Sequence, residues 1–366
     1  MRKRRSKLFF MDKKIISAQL SGRTIAVSDI HGHLDLFEQL LDKVHYSVQD
    51  NLIIIGDYVE KGEQILETIH RMQDLALCQN VYILNGNCEW AVLDMVYHSF
   101  HLKHYLNNVS YSIFHEVFRK HRIDYRQHEE STLKILAQLL LKEELVFIES
   151  CAVMLKTKEY IFVHAGIEDR LDFENSSLSS LLEQRYFMNG QHPLAQCVVV
   201  GHLPAANYHL YHIDNRIIID ENKRMISIDG GVGVKIVCQL NALIINQGYQ
   251  TQYVRPFKRA TIRKAYYPGI CHHHKVTWPH YEVDVLKRQT EFSLCQKVYN
   301  KEKLSIKNEF LYLKNDQWYC KDDYIDYHVS VEVNDVVDVI DIYGQYAYII
   351  KDHEVGWILK DCLMNM

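Results

Sequence analysis

RTIAVSDIHGH, residues 23–33, decides how this chain folds: an uninterrupted apolar strand empties into a carboxylate, an imidazole and a glycine. Arg23–Ser28 has no polar alternation, the pattern of a strand covered on both faces. Leu34–Leu41 follows as an amphipathic helix. Leu52–Ile55 reads as a second strand, Gln64–Leu77 as a second helix and Val81–Leu84 as a third strand. Strands alternating with helices predict a parallel sheet with right-handed crossovers. Residues 89–146 carry helical periodicity without a strong breaker and are expected to form a helical insertion. Short strands return at Val153–Leu155, Tyr160–Val163, Cys197–Val200, Met225–Ile228 and Cys238–Ile245, enough for a second, mixed sheet.

The loops after these strands carry the chemistry. Asp29 and His31 follow the first, where open α/β sheets bind ligands. The second strand runs into GDYVEKG (56–62) and the third into NGNCE (85–89). His164 in FVHAG (162–166) and His202 in VVVGHLP (198–204) follow later strands in the same way. With 21 histidines in the chain, one strand-terminal histidine means little. Five successive strand ends offering Asp29/His31, Asp57, Asn87, His164 and His202 are another matter, because mixed N/O donors are what a catalytic divalent cation takes.

Composition bounds the alternatives. The 366 residues are 48% hydrophobic and 24% charged, which fits one large globular domain with a small appendage. A net charge of −4 does not suit a nucleic-acid binder, so no nucleic-acid duplex is expected as a partner. No apolar run approaches the roughly 18–20 residues of a membrane span, and the apolar patch Leu8–Met11 is closed by Asp12, too short for a signal peptide. Nine scattered cysteines without a C-x-x-C predict reduced thiols and a cytoplasmic protein, and the short apolar runs predict no membrane partner.

The motifs resemble those of the calcineurin-like metallophosphoesterase superfamily, and more closely its phosphoprotein phosphatase branch, which includes Ser/Thr protein phosphatases and bacterial bis(5′-nucleosyl)-tetraphosphatases. The family's GD-x-HG, GD-x-x-D-RG, GN-H-E, H-A-G and GH stand here as SDIHG, GDYVEKG, GNCE, HAG and GH, across residues 22–246. The resemblance implies a four-layer α/β/β/α sandwich and two divalent metal ions, usually manganese, with iron or zinc as alternatives. Asp29, His31 and Asp57 would hold the first ion. Asp57, Asn87, His164 and His202 would hold the second, with Asp57 bridging. A metal-bridging hydroxide would then attack phosphorus in a phosphoprotein or a nucleotide-type phosphoester.

Three catalytic positions depart from the family. The general-acid histidine of GN-H-E, the aspartate that orients it and the phosphate-gripping arginine are here Cys88, Glu60 and Lys61. A thiol is a poor acid for expelling an alkoxide, and Lys61 keeps the charge but loses the bidentate fork. Arg185, 17 residues before His202, resembles the family's second phosphate-binding arginine. Asp57, Glu60 and Cys88 are therefore the expected catalytic residues, with Lys61, Arg185 and Asn87 contacting substrate. Loss of a general acid costs about 10²–10⁴ in rate, mostly on poor leaving groups, which favours anhydrides and aryl esters over phosphoserine. The alternative is an impaired pseudo-phosphatase that binds metal and phosphorylated ligands, or an interaction module.

The rest divides by charge. Residues 251–308 carry 12 Lys/Arg against 4 Asp/Glu, and residues 309–366 carry 4 against 12. The first block is expected as a basic connector. The second consists of short strand patterns, and its run around Gly356-Trp357 resembles bacterial SH3-like domains, implying a small all-β barrel that takes a peptide or protein partner. The expected layout is a basic tail (1–21), the metallophosphoesterase domain (22–250), the connector (251–308) and the SH3-like domain (309–366). CHHHK, 271–275, is expected as a solvated loop.

Overall fold

The structure, a computed structural model, describes residues 13–98, 101–269 and 273–364. The basic stretch Arg2–Lys7 and the Cys271-His272 start of the histidine run lie outside the described residues. The chain divides into two compact units.

The first unit comprises residues 1–203, 217–233 and 240–254. Its elements in chain order are β1 (Ile15–Ser17), β2 (Thr24–Val27), α1 (Leu34–Lys43), β3 (Asn51–Ile55), α2 (Ile65–Leu75), β4 (Val81–Leu84) and α3 (Asn87–Tyr97). Four more helices complete the insertion: α4 (Leu102–Asn108), α5 (Ile113–Lys120), α6 (Glu130–Leu140) and α7 (Lys142–Ser150). Then come β5 (Met154–Lys156), β6 (Tyr160–Val163), α8 (Leu178–Glu183), β7 (Cys197–Val200), β8 (Ile218–Asp220), β9 (Met225–Ser227), β10 (Leu240–Ile245) and β11 (Tyr249–Val254). One sheet has the order β11-β10-β2-β3-β4, with β2, β3 and β4 parallel and β10 antiparallel to β2. The other has the order β1-β5-β6-β7-β9-β8, with β6, β7 and β9 parallel.

The two sheets bury their facing sides in a common core: Ala26, Ile53, Ile55 and Leu84 from the first, Leu155, Phe162, Val199 and Ile226 from the second. Helix α1 covers the first sheet with the stripe Leu36, Phe37, Leu40 and Leu41 and packs against β10 and β11. Helix α2 buries Ile65, Leu66, Ile69 and Met72. It has no cap of its own; the Glu116 carboxylate of α5 accepts from its first N–H groups, Ile65 at 3.0 Å and Leu66 at 3.3 Å. The insertion and α2 are thereby joined. Three parallel strands of each sheet end at loops of the same kind, and that fixes where the site lies.

The second unit comprises residues 204–216, 234–239 and 255–366. It is all β: β12 (Lys258–Thr261), β13 (Lys275–Val276), β14 (Glu282–Lys287), β15 (Phe292–Lys297), β16 (Lys303–Lys307), β17 (Leu311–Lys314), β18 (Gln317–Cys320), β19 (Tyr324–Ile325), β20 (Val336–Tyr343), β21 (Tyr346–Lys351) and β22 (Glu354–Leu359). These form sheets β12-β20-β21-β22 and β16-β15-β14-β18-β17 and the pair β13-β19. Two expectations need correction. Among the described residues no closed barrel forms; the strands around Gly356-Trp357 belong to an open four-stranded sheet. Residues 258–307 supply five strands rather than a connector, because β12 pairs with β20 and β14 with β18. The charge contrast is used inside this unit: Arg255 meets Asp338 at 2.8 Å, and Lys264 meets Asp361 at 3.0 Å. Trp357 stacks on Tyr348 at 4.5 Å in a core that also holds Phe310 and Tyr324.

Candidate metal centre

Asp29 stands two residues after β2, Asp57 two after β3, and Asn87 opens α3 after β4; His164 and His202 follow β6 and β7. The loops hold one another through the backbone. Asp29 donates to Gly56 O at 3.1 Å, His31 to Asp57 O at 2.9 Å, and Gly201 to His164 O at 2.8 Å. Asp29, His31, Asp57, Glu60, Lys61 and His202 all have φ between 49° and 73°, a region that costs a non-glycine residue about 1–3 kcal/mol. Gly86 and Gly201 admit no side chain, since a Cβ would strike Asp57 Oδ1 at the first and Asp29 Oδ2 at the second.

The side chains converge. His31 Nε2 lies 3.9 Å from Asp29 Oδ1 and 3.7 Å from Asp57 Oδ2. His164 Nε2 lies 3.4 Å from Asp57 Oδ1 and 3.0 Å from Asn87 Oδ1. His202 donates its backbone N–H to Asp29 Oδ2 at 3.0 Å, and its ring centre is 5.1 Å from that of His164. Two groups have donor atoms within 4.8 Å of one another, and Asp57 is in both: Asp29, Asp57 and His164; and His31, Asp57 and Cys88. The six expected metal ligands are therefore brought to one place.

These residues fit a cation. His31 Nδ1 faces Val59 O at 3.2 Å and His164 Nδ1 faces Ile55 O at 2.9 Å. A carbonyl only accepts, so both Nδ1 atoms carry the proton and Nε2 turns inward. Burial, with Lys61 and His164 nearby, pushes His31 down to about 4 against the pull of Asp57, which leaves a lone pair aimed at carboxylate oxygens. Burial and then the Asp229 and Asp57 charges push Asp29 well above the usual carboxylate range. Asp57 is pushed up by burial, but His164, His31 and two hydrogen bonds from Cys88 outweigh this and hold it ionised. Lone pairs and negative charge crowded together in a dry site call for positive charge between them.

The three altered catalytic positions have different surroundings. Cys88 donates its N–H to Asp57 Oδ1 at 2.8 Å and its thiol to Asp57 Oδ2 at 3.0 Å. Glu60 does not orient that thiol: it accepts from Tyr105 OH of α4 at 2.9 Å and from Ile113 N of α5 at 3.3 Å. Burial raises Glu60 to about 7 against those bonds. Lys61 and Arg185 are exposed, and both lie near enough to His202 to add to the burial that, with His164 beside it, pushes it down to about 3. A cavity of about 150 Å³ runs from Asn87 between α3 and α8, lined by Trp90, Met95, Leu178 and Leu182.

Three contributors escaped the motif reading. Glu89 accepts from the N–H groups of Asp57, Tyr58, Val59 and Gly86 at 2.6–3.0 Å. Burial and Asp57 push its carboxyl up to about 8, yet all four contacts are donors, so the carboxylate is the form these loops are built around. Asp229, two residues after β9, faces Asp29; its Ile-Asp-Gly-Gly context is the same strand-to-loop signature as the others and was open to discovery. Tyr105 gave no signal beyond an amphipathic helix face.

Comparisons with known proteins give the family. The family profile described as calcineurin-like phosphoesterase matches residues 22–230. Over 98 residues, 26% of this chain and 32% of the other, the sequence is 31% identical to a serine/threonine-protein phosphatase PP1-delta of Caenorhabditis elegans. Over 154 residues, 42% of this chain and 48% of the other, it is 28% identical to a symmetrical bis(5′-nucleosyl)-tetraphosphatase of Vibrio parahaemolyticus. The chain thus spans about a third to a half of the curated relatives it matches. The crystal structure of a putative diadenosine tetraphosphatase superposes with a TM-score of 0.46 at 17% identity, covering 66% of this chain and 98% of the other.

Proposed function

The chain belongs to the calcineurin-like phosphoesterase family, and from that premise we propose that it is a metal-dependent hydrolase of phosphoric esters whose preferred substrates carry good leaving groups. One observation carries the proposal: Asp57 lies between two sets of donors, His31 on one side and His164 with Asn87 on the other. Asp29, His31, Asp57, Asn87, His164 and His202 would hold two divalent ions, with manganese first among the ions to try. When bound, such ions supply Lewis acidity to phosphoryl oxygens and to water.

The chain's own residues do the rest. Backbone carbonyls hold His31 and His164 in one tautomer and one orientation. Lys61 and Arg185, exposed and within electrostatic reach of His202, would receive the non-bridging oxygens and offset their charge. Glu89 keeps Asp57 and its loop in place. Nothing at position 88 is poised to hand a proton to a departing alkoxide, since the thiol donates to Asp57 and Glu60 is engaged with Tyr105 and Ile113. An aryl phosphate or a phosphoanhydride leaves without that proton.

The test is a substrate panel with the Mn²⁺-loaded protein: p-nitrophenyl phosphate, diadenosine tetraphosphate and a phosphoserine peptide. The first two should be hydrolysed at least about 100-fold faster than the peptide, the lower bound for a missing general acid. No turnover of any of the three would overturn the proposal and favour a ligand-binding pseudo-phosphatase. Equal rates on all three would show that leaving-group protonation is supplied elsewhere.

A further inference from the structure

The thiol at position 88 has a geometry of its own. Cys88 Sγ is 3.0 Å from Asp57 Oδ2, the oxygen that also lies 3.7 Å from His31 Nε2. All three donor atoms fall within 4.8 Å of one another. A tetrahedral ion bound by nitrogen, oxygen and sulfur at the usual lengths has donor–donor edges of roughly 3.4–3.6 Å. The observed separations bracket that value. The sulfur cannot swing elsewhere easily, because Cys88 is buried and its backbone N–H is fixed on Asp57 Oδ1 at 2.8 Å.

We infer that Cys88 is a metal ligand, closing an N/O/S face with His31 and Asp57 so that the ion on that side of Asp57 is held partly by sulfur. The inference rests on the metal-cage proposal above and deepens it. The proton now shared between Sγ and Asp57 Oδ2 goes to solvent as the sulfur–metal bond forms, so charge and atoms balance. A thiolate softens the donor set. The His31 side then discriminates for zinc, cobalt or cadmium over manganese, while the His164 side, with Asn87 and His202, stays an N/O site. The residue that removes a general acid from this chain thereby changes which ion the chain selects.

Cobalt(II) loading of the full chain tests this by absorption. Sulfur ligation gives a near-ultraviolet sulfur-to-cobalt charge-transfer band in the wild type, lost in both Cys88→Ser and Cys88→His while each still binds cobalt. Cadmium affinity should fall about 10–100-fold in Cys88→Ser, with manganese affinity changed by less than about threefold. Cobalt bound without that band in the wild type, or with the band intact in Cys88→Ser, overturns the inference and leaves the cage standing. A wild type that binds no cobalt overturns the cage and the inference together. A wild-type spectrum without the band refutes the inference without any variant, so a poorly folded substitution does not shelter the idea.

Discussion

Glu89→Gln changes one atom in the loop scaffold and should cost as much as a large core truncation. Glu89 Oε1 accepts from Tyr58 N and Val59 N, both within 3.0 Å, and Oε2 from Asp57 N at 2.9 Å and Gly86 N at 2.6 Å. A glutamine keeps one accepting oxygen and turns an NH₂ toward the other pair. Two buried N–H groups lose their partner and face a donor. Each unsatisfied group costs about 1–3 kcal/mol, so the variant should lose about 4 kcal/mol. For a domain of this size that is a fall in melting temperature of roughly 8–16 °C. The damage is local as well, since the loop that carries Asp57 loses its anchor and metal affinity should fall with it. Thermal unfolding and manganese titration of wild type and variant measure both. A variant that melts within about 2 °C of wild type and binds manganese equally well would show that the carboxylate does not organise these loops.

Arg185→Ala should lower kcat/KM for p-nitrophenyl phosphate by about 10–100-fold, the worth of one charge-assisted contact to phosphate; unchanged kinetics would remove Arg185 from the substrate site. Stability should fall at alkaline pH through buried thiols such as Cys320, which burial holds well above its ordinary value of 9.0. Above pH 9 the unfolded state releases a proton that the folded state keeps, so each such thiol costs about 1.4 kcal/mol per pH unit. Lys275, pushed down to about 8 by burial, works in the opposite direction, so the comparison must be made with Cys320→Ala. The stability difference between wild type and Cys320→Ala, followed by urea unfolding from pH 8 to 10, should change by that slope. A constant difference would refute the assignment.

Local patterns foretold most of the strands because burial on both faces leaves little ambiguity. Val81–Leu84, Tyr160–Val163 and Cys197–Val200 begin and end in the structure where the apolar runs do. The loops that follow them were legible for the same reason, since each joins a strand end to a short polar motif. Pairing across long separations was not legible. Lys258–Thr261 pairs with Val336–Val339 of β20, some eighty positions away, and its outward lysine and arginine conceal the strand in a basic stretch. The SH3-like barrel is a failure of the same kind: the strand carrying Gly356-Trp357 forms, but closure depends on neighbours that no window of sequence contains. Glu89 and Tyr105 escaped because each acts on a loop about thirty to forty-five residues earlier.

The backbone strain explains why Glu89 and the inter-loop hydrogen bonds matter to the chemistry. Among the described residues, sixteen non-glycine positions have positive φ, and six of them are Asp29, His31, Asp57, Glu60, Lys61 and His202. At the lower end of the usual cost the six together oppose folding by about 6 kcal/mol, comparable to the whole net stability of an ordinary domain. Such conformations persist only where neighbours over-determine them. Here strained loops hold one another, Asp29 by Gly56, His31 by Asp57 and His202 by Asp29, and Glu89 of α3 holds Asp57. Releasing one should therefore relax several, and the donors would drift apart as a group. A cation shared through Asp57 opposes the same drift, so metal binding and loop strain are coupled, and substitutions at Glu89 and at the ligands should be strongly non-additive.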